Sequence, residues 1–558
     1  MLKKIPCLLI SDFNIENFAG LLNNSDTPPR MKAAVAPFGQ VMPLLMDGDS
    51  PCWKSGPDFA VVWTTPESVV QSFSEISAYK KSSIDLALEE VDRFSQALIS
   101  ASGNVRSLFV PMWVTPSYHR GFGMLDLRNG IGMMNTLMRM NVRLSENLDR
   151  SPNIYLLNTQ KWIEAAGKRA FSEKLWYMSK VVFGNEVFLE AVKDIQAALS
   201  GIRGESKKLV VLDLDDTLWG GVVGDTGWRN ITLGGHDPFG EAFVDFQRSL
   251  KALTNRGILL GVVSKNEESV ALEAIDRHPE MVLRKKDLAG WKINWLDKAK
   301  NIADLAGELN LGVSSVVFID NDPAERDRVR EALPEVLVPE WPDNPMLYTR
   351  DLLGLRCFDS PSITAEDTAR TAMYATERKR KHAKKELSSI DDWLKGIDIS
   401  VTVEELHDGN LKRAAQLFNK TNQMNLTTRR MSESELTGWL KAGDRKIWTF
   451  RVADKFGDSG LTGIVGLEVD KKIARITDFV LSCRVIGRRI EETMLYTAIR
   501  YAQSAGIEEV RARYAPTPKN KPCLDFWKRS GFRAAGGNDR FLWRVRDEFR
   551  APDFVTIR

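Results

Sequence analysis

Paired cysteines are missing from this sequence. Its five cysteines, Cys7, Cys52, Cys357, Cys483 and Cys523, are scattered over 558 residues without a CxxC pair. That spacing excludes a disulfide framework and a zinc site, and it favours a reducing compartment. No apolar run approaches the roughly 18 residues that a membrane-spanning helix needs, and Ile5 to Ile10, behind Lys3 and Lys4, is too short for a signal peptide. An excess of one charge is also lacking: 77 Lys and Arg against 74 Asp and Glu leave +3 at pH 7, which implies neither a nucleic-acid nor a membrane partner. No internal repeat recurs. A soluble, cytoplasmic, globular chain is expected, with apolar content of 43% and charged content of 27% in the ordinary range. At about 150 residues per domain, such a length holds three or four domains.

Residues 1–200 read as one parallel α/β domain. Candidate strands at Pro6–Ile10, Phe59–Trp63, Ser107–Trp113 and Asn153–Leu157 alternate with helical patterns such as Ile84–Ile99 and Met133–Leu148. Ser11-Asp12 after the first strand invites comparison with SGNH-type serine hydrolases. A serine nucleophile needs a base, and His119 is the only histidine before residue 200, with no Asp-x-x-His near the domain's end. A flavodoxin-like binding or scaffolding domain is expected, not a hydrolase.

The chemistry concentrates after Lys208. The apolar run Leu209–Leu212 delivers Asp213 and Asp215, two carboxylates two residues apart, in the sequence DLDDT. A buried parallel strand reads as such a run, and open α/β sheets bind ligands at the carboxyl ends of their strands. Two close carboxylates need a cation or a shared proton. A second buried strand, Ile258–Ser264, ends in Ser264-Lys265-Asn266, and a third, Ser315–Ile319, ends in Asp320-Asn321-Asp322-Pro323. Between them Lys298 opens an amphipathic helix with Ile302, Leu305, Ala306 and Leu309 on one face. A phosphoryl site needs a hydroxyl, an ammonium and a metal-holding carboxylate near the nucleophile; Ser264, Lys298 and Asp320 supply these types. Lys292 and Lys285 compete with Lys298, which is preferred because its helix leads into the Asp320 strand. Taken singly, these residues read equally as helix caps, turns and a solvated helix face.

DxDxT, then Ser, Lys and Asp in this order, resembles the haloacid dehalogenase (HAD) superfamily. The resemblance implies that Asp213 attacks a phosphoryl group, that Asp215 is acid and base, and that Mg²⁺ is the cofactor. Only loops and one helix fit between Asp213 and Ser264, and no lid domain fits before Lys298, so a capless enzyme is expected. DLDDTLWGGVVG (213–224), VSKN (263–266), Asn294-Trp295 and FIDNDPAER (318–326) look like the FkbH-like branch, in HAD subfamily IIIC. Members are bifunctional glyceryl transferase/phosphatases that load a glyceryl unit from 1,3-bisphosphoglycerate onto an acyl carrier protein in polyketide-type or related pathways. The resemblance makes Ser264, Lys265 and Lys298 phosphate-binding, and Asp213, Asp215, Asp320 and Asn321 metal-binding. The family usually shows two adjacent aspartates where this chain has Asp320-Asn321, and Asn is a weaker ligand for a hard cation.

The HAD-like region is placed at 201–358, followed by a charged helical linker at 359–397. Its basic run, Arg378-Lys379-Arg380-Lys381-His382 with Lys384-Lys385, reads as a solvated face or as a dock for an acidic carrier protein. Residues 398–558 are strand-rich α+β and resemble the GNAT acyltransferase fold. Strands are expected at Ile399–Val403, Lys446–Val452, Thr462–Val469 and Ile473–Arg484, with a helix over Arg488–Ala505 and a short one near Leu524–Ser530. Trp527 stands where many GNAT enzymes keep a tyrosine acid, which argues against ordinary acetyl transfer. Cys483 closes an apolar strand beside Arg484, Arg488, Arg489 and a helix start, an environment that favours a thiolate; a buried structural cysteine is the alternative. The Leu-Ser-Cys-Arg match to the FkbH-like pattern implies that Cys483 is the acyl acceptor, with Asn422, Gln423, Arg484, Gly487, Arg488 and Asn520 binding the glyceryl group or the carrier's phosphopantetheine arm.

By this resemblance, an acyl phosphate acylates Cys483, Asp213 with Asp215 and Mg²⁺ removes the remaining phosphate, and the glyceryl unit passes to the carrier's phosphopantetheine thiol. A stand-alone phosphatase acting on a phosphorylated metabolite and a non-enzymatic assembly protein are the alternatives.

Overall fold

The structure, a computed structural model, describes residues 4–385, 390–537 and 539–558; within two helices the side chains at 375, 378, 379, 381–385 and 390–392 are not described. Apart from Arg380, the side chains of the basic run at 378–385 therefore lie outside the described residues. The chain forms two compact units, residues 1–199 and 200–558.

The first unit is built on β1 (Ile5–Ser11), β2 (Met31–Val35), β3 (Phe59–Trp63), β4 (Ser107–Pro111) and β5 (Ile154–Leu157). Their order is β2-β1-β3-β4-β5, every pairing is parallel, and this is the flavodoxin-like order. β3 and β4 are buried at every position, as strands covered by helices on both faces must be. Helices Ile84–Ser102 and Met133–Leu148 lay Val91, Phe94 and Leu98, and Leu137, Met140 and Leu144, onto one core. β2 was not expected, because Met-Lys-Ala-Ala-Val is poor in strand formers; it pairs only with β1 at the sheet's edge. Ser11 and His119 do not meet: Ser11 Oγ accepts the Phe13 amide at 3.2 Å, while His119 Nδ1 accepts the Gly121 amide at 3.1 Å.

The second unit carries two sheets. One is fully parallel, in the order β8-β7-β6-β9, from β6 (Leu209–Leu212), β7 (Leu259–Ser264), β8 (Gly290–Ile293) and β9 (Val316–Ile319). Alternation along β6 sends Val210 and Leu212 into one core and Leu209 and Val211 into the other. Helix Pro238–Thr254 and the turn Val223–Thr226 are the only helices between β6 and β7, so the domain carries no lid of its own. β8 was missed in the sequence: its four residues, Gly-Trp-Lys-Ile, alternate too briefly to register as a strand.

The other sheet is mixed, in the order β16-β17-β15-β14-β13-β12-β10-β18, with β11 against β14. Its strands are β10 (Ile399–Glu405), β11 (Met424–Asn425), β12 (Arg445–Asp454), β13 (Gly457–Asp470), β14 (Ile473–Leu481), β15 (Glu509–Arg513), β16 (Arg533–Ala534), β17 (Arg540–Arg544) and β18 (Val555–Ile557). The α+β, GNAT-like class matches this layout: antiparallel β10, β12, β13 and β14, then a parallel step to β15. β14 ends at Leu481, so Cys483 lies just beyond it, in the 3₁₀ turn Cys483–Val485.

Asp367 ties the two sheets together. It is 1% exposed, accepts the Thr364 amide at 3.1 Å and the Gln416 side-chain amide, and pairs with Lys420 at 3.3 Å and Arg370 at 3.5 Å. Gly257, with φ at +81°, lets this segment approach, because an added Cβ would stand 2.8 Å from Asp367 Cβ. Burial pushes the Asp367 carboxyl up, but Lys420 and Arg370 outweigh it and hold the group at about 2. Its stabilisation is therefore fully present above the ordinary carboxylate value of about 3.9, and it is lost as pH falls through about 2. Asp367→Ala is expected to cost about 3–5 kcal/mol at neutral pH, because it strands two buried cations, and the deficit should shrink below pH ~4. Denaturant unfolding followed against pH checks this; equal midpoints at pH 7 would remove Asp367 from its anchoring role.

Candidate functional site

The carboxyl edge of the parallel sheet gathers the first cluster. Asp213 follows β6, Ser264 ends β7, Asp320 follows β9, and Lys298 opens the helix after β8. Local sequence fixes each one. Asp297 caps its helix by accepting the Lys300 amide at 3.0 Å, which puts Lys298 at the first helical position. Asp322 caps the next helix through the Ala324 amide at 2.8 Å with Pro323 behind it. In Asp320-Asn321-Asp322-Pro323 the last carboxylate is thus a helix cap.

Lys298 Nζ lies 2.6 Å from Asp320 Oδ2 and 3.3 Å from Asp213 Oδ1, and all three residues are buried. Burial pushes Asp213 up to about 7, against the pull of Lys298 and with a push from Asp320. Burial also raises Asp320, whereas Lys298 loses to burial but is raised on balance by the two carboxylates. Ser264 hydrogen-bonds Asp213. Asp213 Oδ1 is a buried oxygen without a hydrogen-bond partner, and beyond its ion pair with Lys298 it is free to meet a cation or an electrophilic phosphorus.

Asp215, two residues beyond Asp213, is oriented by hydrogen bonds of its own. Its Oδ1 accepts from Trp219 Nε1 at 2.9 Å and from the Val223 amide at 3.1 Å, and its Oδ2 accepts from Asn266 at 2.7 Å. Asn321 Oδ1 accepts from Thr217 at 3.2 Å. Among the described residues no three His, Cys, Asp or Glu side chains close on a common metal position. The pair that fits a hard cation is therefore Asp213 with Asp320. Lys265, expected on phosphate, pairs with Glu325 at 2.5 Å at the surface. Sequence reading missed Asn266 as the residue that orients Asp215, although it stands in the quoted VSKN. It also missed Arg326, whose guanidinium donates to the Asp320 and Asn321 carbonyls at 2.9 and 2.7 Å.

Cys483 belongs to a separate cavity of about 360 Å³, which Asn422, Gln423 and Arg484 also line. Gly487, Arg488 and Asn520 are not part of its lining. Arg488 pairs with Glu377 and, at 3.2 Å, with Asp454. The Gly487 amide donates to Glu491 at 3.0 Å. Asn520 is fully buried, with bonds to Tyr514, the Thr517 amide and the Asn425 carbonyl. The Tyr374 hydroxyl stands 3.9 Å from Cys483 Sγ, and burial and the thiol together push its phenol pKa up, which keeps it a proton donor. Lys208, Arg370, Arg413 and Lys420 complete the cationic wall. Lys420 opens the Lys-Thr-Asn-Gln stretch that resembles the FkbH-like pattern; no sequence motif marked the role of the other three, because they come from distant segments.

The position of Lys208 sets the two clusters apart. Lys208 and Asp213 flank the four residues of β6, so at ~3.3 Å per residue they stand about 16 Å apart at opposite ends of the strand. Phosphoryl-type chemistry at one edge and thiol chemistry at the other do not share a cavity.

Parts of the chain are similar to known proteins. Residues 30–196 match the family described as "FkbH, N-terminal domain". No curated protein matches the chain. Among solved structures, the N-terminal part of the protein BF1531 from Bacteroides fragilis, containing a phosphatase domain complexed with Mg, is 29% identical with a TM-score of 0.58, over 65% of this chain and 96% of that one. A spermidine N-acetyltransferase SpeG mutant from Vibrio cholerae aligns at 17% identity and a TM-score of 0.21, over 26% of this chain and 94% of that one. No helix among the described residues is long and apolar enough to cross a membrane.

The cysteines differ in reactivity by environment. Burial pushes Cys357 and Cys523 up to about 12 and Cys7 well above the ordinary thiol, whereas Cys483 lines an open cavity. Brief iodoacetamide treatment of the native protein is expected to alkylate Cys483 at least tenfold faster than these three, since the thiolate is the nucleophile. Peptide mass spectrometry reads the order, and faster labelling of Cys523 would contradict it.

Proposed function

We propose, for what is an FkbH-like protein of the haloacid dehalogenase superfamily, a bifunctional acyltransferase and phosphatase. It takes a glyceryl unit from 1,3-bisphosphoglycerate, loads it onto the phosphopantetheine thiol of an acyl carrier protein and removes the remaining phosphate, in a polyketide-type or related pathway. One observation carries the reading: a single unit holds the Asp213–Lys298–Asp320 cluster at one end of β6 and the half-buried Cys483, in a cationic cavity, at the other.

In the acyl step, the Cys483 sulfur attacks the carbonyl carbon of the acyl phosphate. The C–S bond forms, the C–O bond to phosphate breaks, and phosphate leaves. The Tyr374 hydroxyl is placed to donate a hydrogen bond to the thiolate. The carrier's thiol then attacks the thioester and releases Cys483 as thiolate. In the phosphoryl step, an Asp213 oxygen attacks phosphorus, the P–O bond to the glyceryl oxygen breaks, and Asp215 supplies that oxygen with a proton. Water then cleaves the aspartyl-phosphate and returns a proton to Asp215. Ser264 and Lys298 hold the phosphoryl oxygens. Asp213 and Asp320 would hold Mg²⁺, as the Bacteroides fragilis phosphatase domain binds Mg; when bound, the ion neutralises phosphoryl charge.

The separation of the clusters supports the reverse of the order that the sequence resemblance implied, in which phosphate was removed before the glyceryl unit passed to the carrier. A phosphorylated three-carbon group fixed to Cys483 cannot span about 16 Å of packed sheet. We therefore place transfer to the carrier before dephosphorylation, with the carrier's long arm presenting the phosphate to Asp213.

Intact-mass measurement after exposure to the acyl phosphate tests both parts. Cys483→Ala is expected to form no adduct, and Asp213→Asn to form one that keeps its phosphate and to load a carrier thioester that keeps it too. Without carrier, the wild-type adduct should stay phosphorylated. A dephosphorylated Cys483 adduct formed without carrier would overturn the order, and a normal adduct on Cys483→Ala would overturn the thiol assignment.

Mg²⁺ dependence is expected for phosphate release. Asp320→Ala should lose about a hundredfold or more, because a charged group at the reacting centre goes, while Asn321→Ala loses far less. Equal losses, or full activity in chelator, would remove the metal from the reading.

A further inference from the structure

The cavity at Cys483 carries more positive charge than its own carboxylates balance. Lys208, Arg370, Arg413, Lys420 and Arg484 all line it, and Glu335 is the one carboxylate on the lining. Asp367, behind the wall, is shared by Arg370 and Lys420. The other three hydrogen-bond only neutral groups among the described residues, while the Glu366 carboxylate acts on Arg413 and Arg484 without pairing with either. Arg413, 9% exposed, donates to the Gln416 side chain and, at 3.4 Å, to the Leu461 carbonyl. Arg484 donates to Ser482 Oγ at 3.2 Å, and Lys208 to the Lys420 carbonyl at 2.9 Å.

Neutral hydrogen bonds do not offset the cost of burying a charge, and like charges add to it. The effect is visible in the groups themselves: burial, then Arg370, brings Lys208 down to about 7, and burial, then Arg484, brings Arg413 down to about 9. Uncompensated, perturbed groups lining a cleft are where ligands of opposite charge bind. Guanidinium groups suit the oxygens of phosphate in particular, with two parallel bonds from one planar fork.

We propose that this cavity is a second anion site, which holds the anionic oxygens of a phosphate ester beside Cys483 and is independent of the Asp213 cluster. The chemistry fits two sources, the phosphate of a phosphorylated acyl donor or the phosphodiester end of a carrier's arm. That the bound group is then acylating Cys483 rests on the transfer reading given above; the anion site itself does not.

Protection of Cys483 from iodoacetamide in the full-length protein, read on its peptide by mass spectrometry, tests the site. Inorganic phosphate and 3-phosphoglycerate are expected to slow labelling at least fivefold, whereas glycerate and sodium chloride at matched ionic strength should not. Asp213→Asn should keep the protection, and Arg413→Gln and Lys208→Met should each lose it. Stronger protection by 3-phosphoglycerate than by 4′-phosphopantetheine assigns the site to the donor, and the reverse assigns it to the carrier's arm. Calorimetry of inorganic phosphate on the Asp213→Asn protein reads the site without the thiol: one site is expected, weakened at least tenfold by either cation variant, with thermal melting as the folding check. No binding, equal protection by chloride, retention in both cation variants, or loss in Asp213→Asn would each overturn the proposal. If phosphate binds here but Cys483→Ala still accepts acyl groups, the anion site stands and the transfer reading falls.

Discussion

A strand of four residues governs how the second unit works. β6 is completely buried, so the charged residues at its two ends are kept apart by apolar packing on both faces. Asp213 at one end takes its surroundings from the carboxyl edge of a parallel sheet, where open α/β folds leave room for ligands. Lys208 at the other end takes its surroundings from the neighbouring mixed sheet. Neither cluster can drift toward the other without unpacking Val210, Val211 and Leu212, each of which is fully buried. At about 1.5–3 kcal/mol per buried aliphatic side chain, that rearrangement is closed to a folded protein.

The two clusters resolve the same electrostatic difficulty in opposite ways. At the carboxyl edge, one lysine is set between two buried carboxylates, so the cluster retains net negative charge and its carboxyls are raised. That suits a nucleophilic carboxylate awaiting a cation and a phosphoryl group. Around Cys483 the imbalance is positive, and the lowered Lys208 and Arg413 record it. The first imbalance calls for a cation and the second for an anion, so one ligand does not meet both unaided. Asp367 belongs to neither chemistry, yet it limits the second imbalance by holding Arg370 and Lys420 in place.

Legibility in the sequence followed locality. Asp213, Ser264, Lys298 and Asp320 could be placed because each stands where a buried apolar run ends or an amphipathic helix begins, and the structure puts all four at one sheet edge. The flavodoxin-like and GNAT-like regions could be read for the same reason, from runs such as Phe59–Trp63 and Ile473–Leu481. β2 and β8 could not, since alanine-rich or four-residue strands carry little periodic signal. Most of the wall around Cys483 was beyond local reading: Arg484 was marked by the Leu-Ser-Cys-Arg match, but Lys208, Arg370 and Arg413 join it only because two sheets pack together. Arg488 and Asn520 show the converse, with neighbourhoods that suggested ligand contacts and side chains that hold loops and helices in place.

The mixed sheet also gives Trp527 a packing role. Trp527, standing where a tyrosine acid would be expected, is fully buried, with Phe479, Phe532 and Phe541 ring centroids 5.5, 5.1 and 5.5 Å away; it fills a core and faces no substrate. β14 and β15 pair over only Ile473–Ile476 and Glu509–Ala512 before they part. Beyond that point β14 pairs instead with β11, through Asn425 and Met424. The Leu426 carbonyl accepts the Ala515 amide at 2.9 Å, and Asn520 donates to the Asn425 carbonyl at 3.0 Å. The chain itself thus bridges the parallel strands where they part, beside a cavity lined by Thr427, Arg429, Thr477 and Arg513. On the transfer reading proposed above, an acyl group would reach this region at the end of β14, where the turn after Leu481 brings Cys483 to the cationic cavity, and not between the parallel strands.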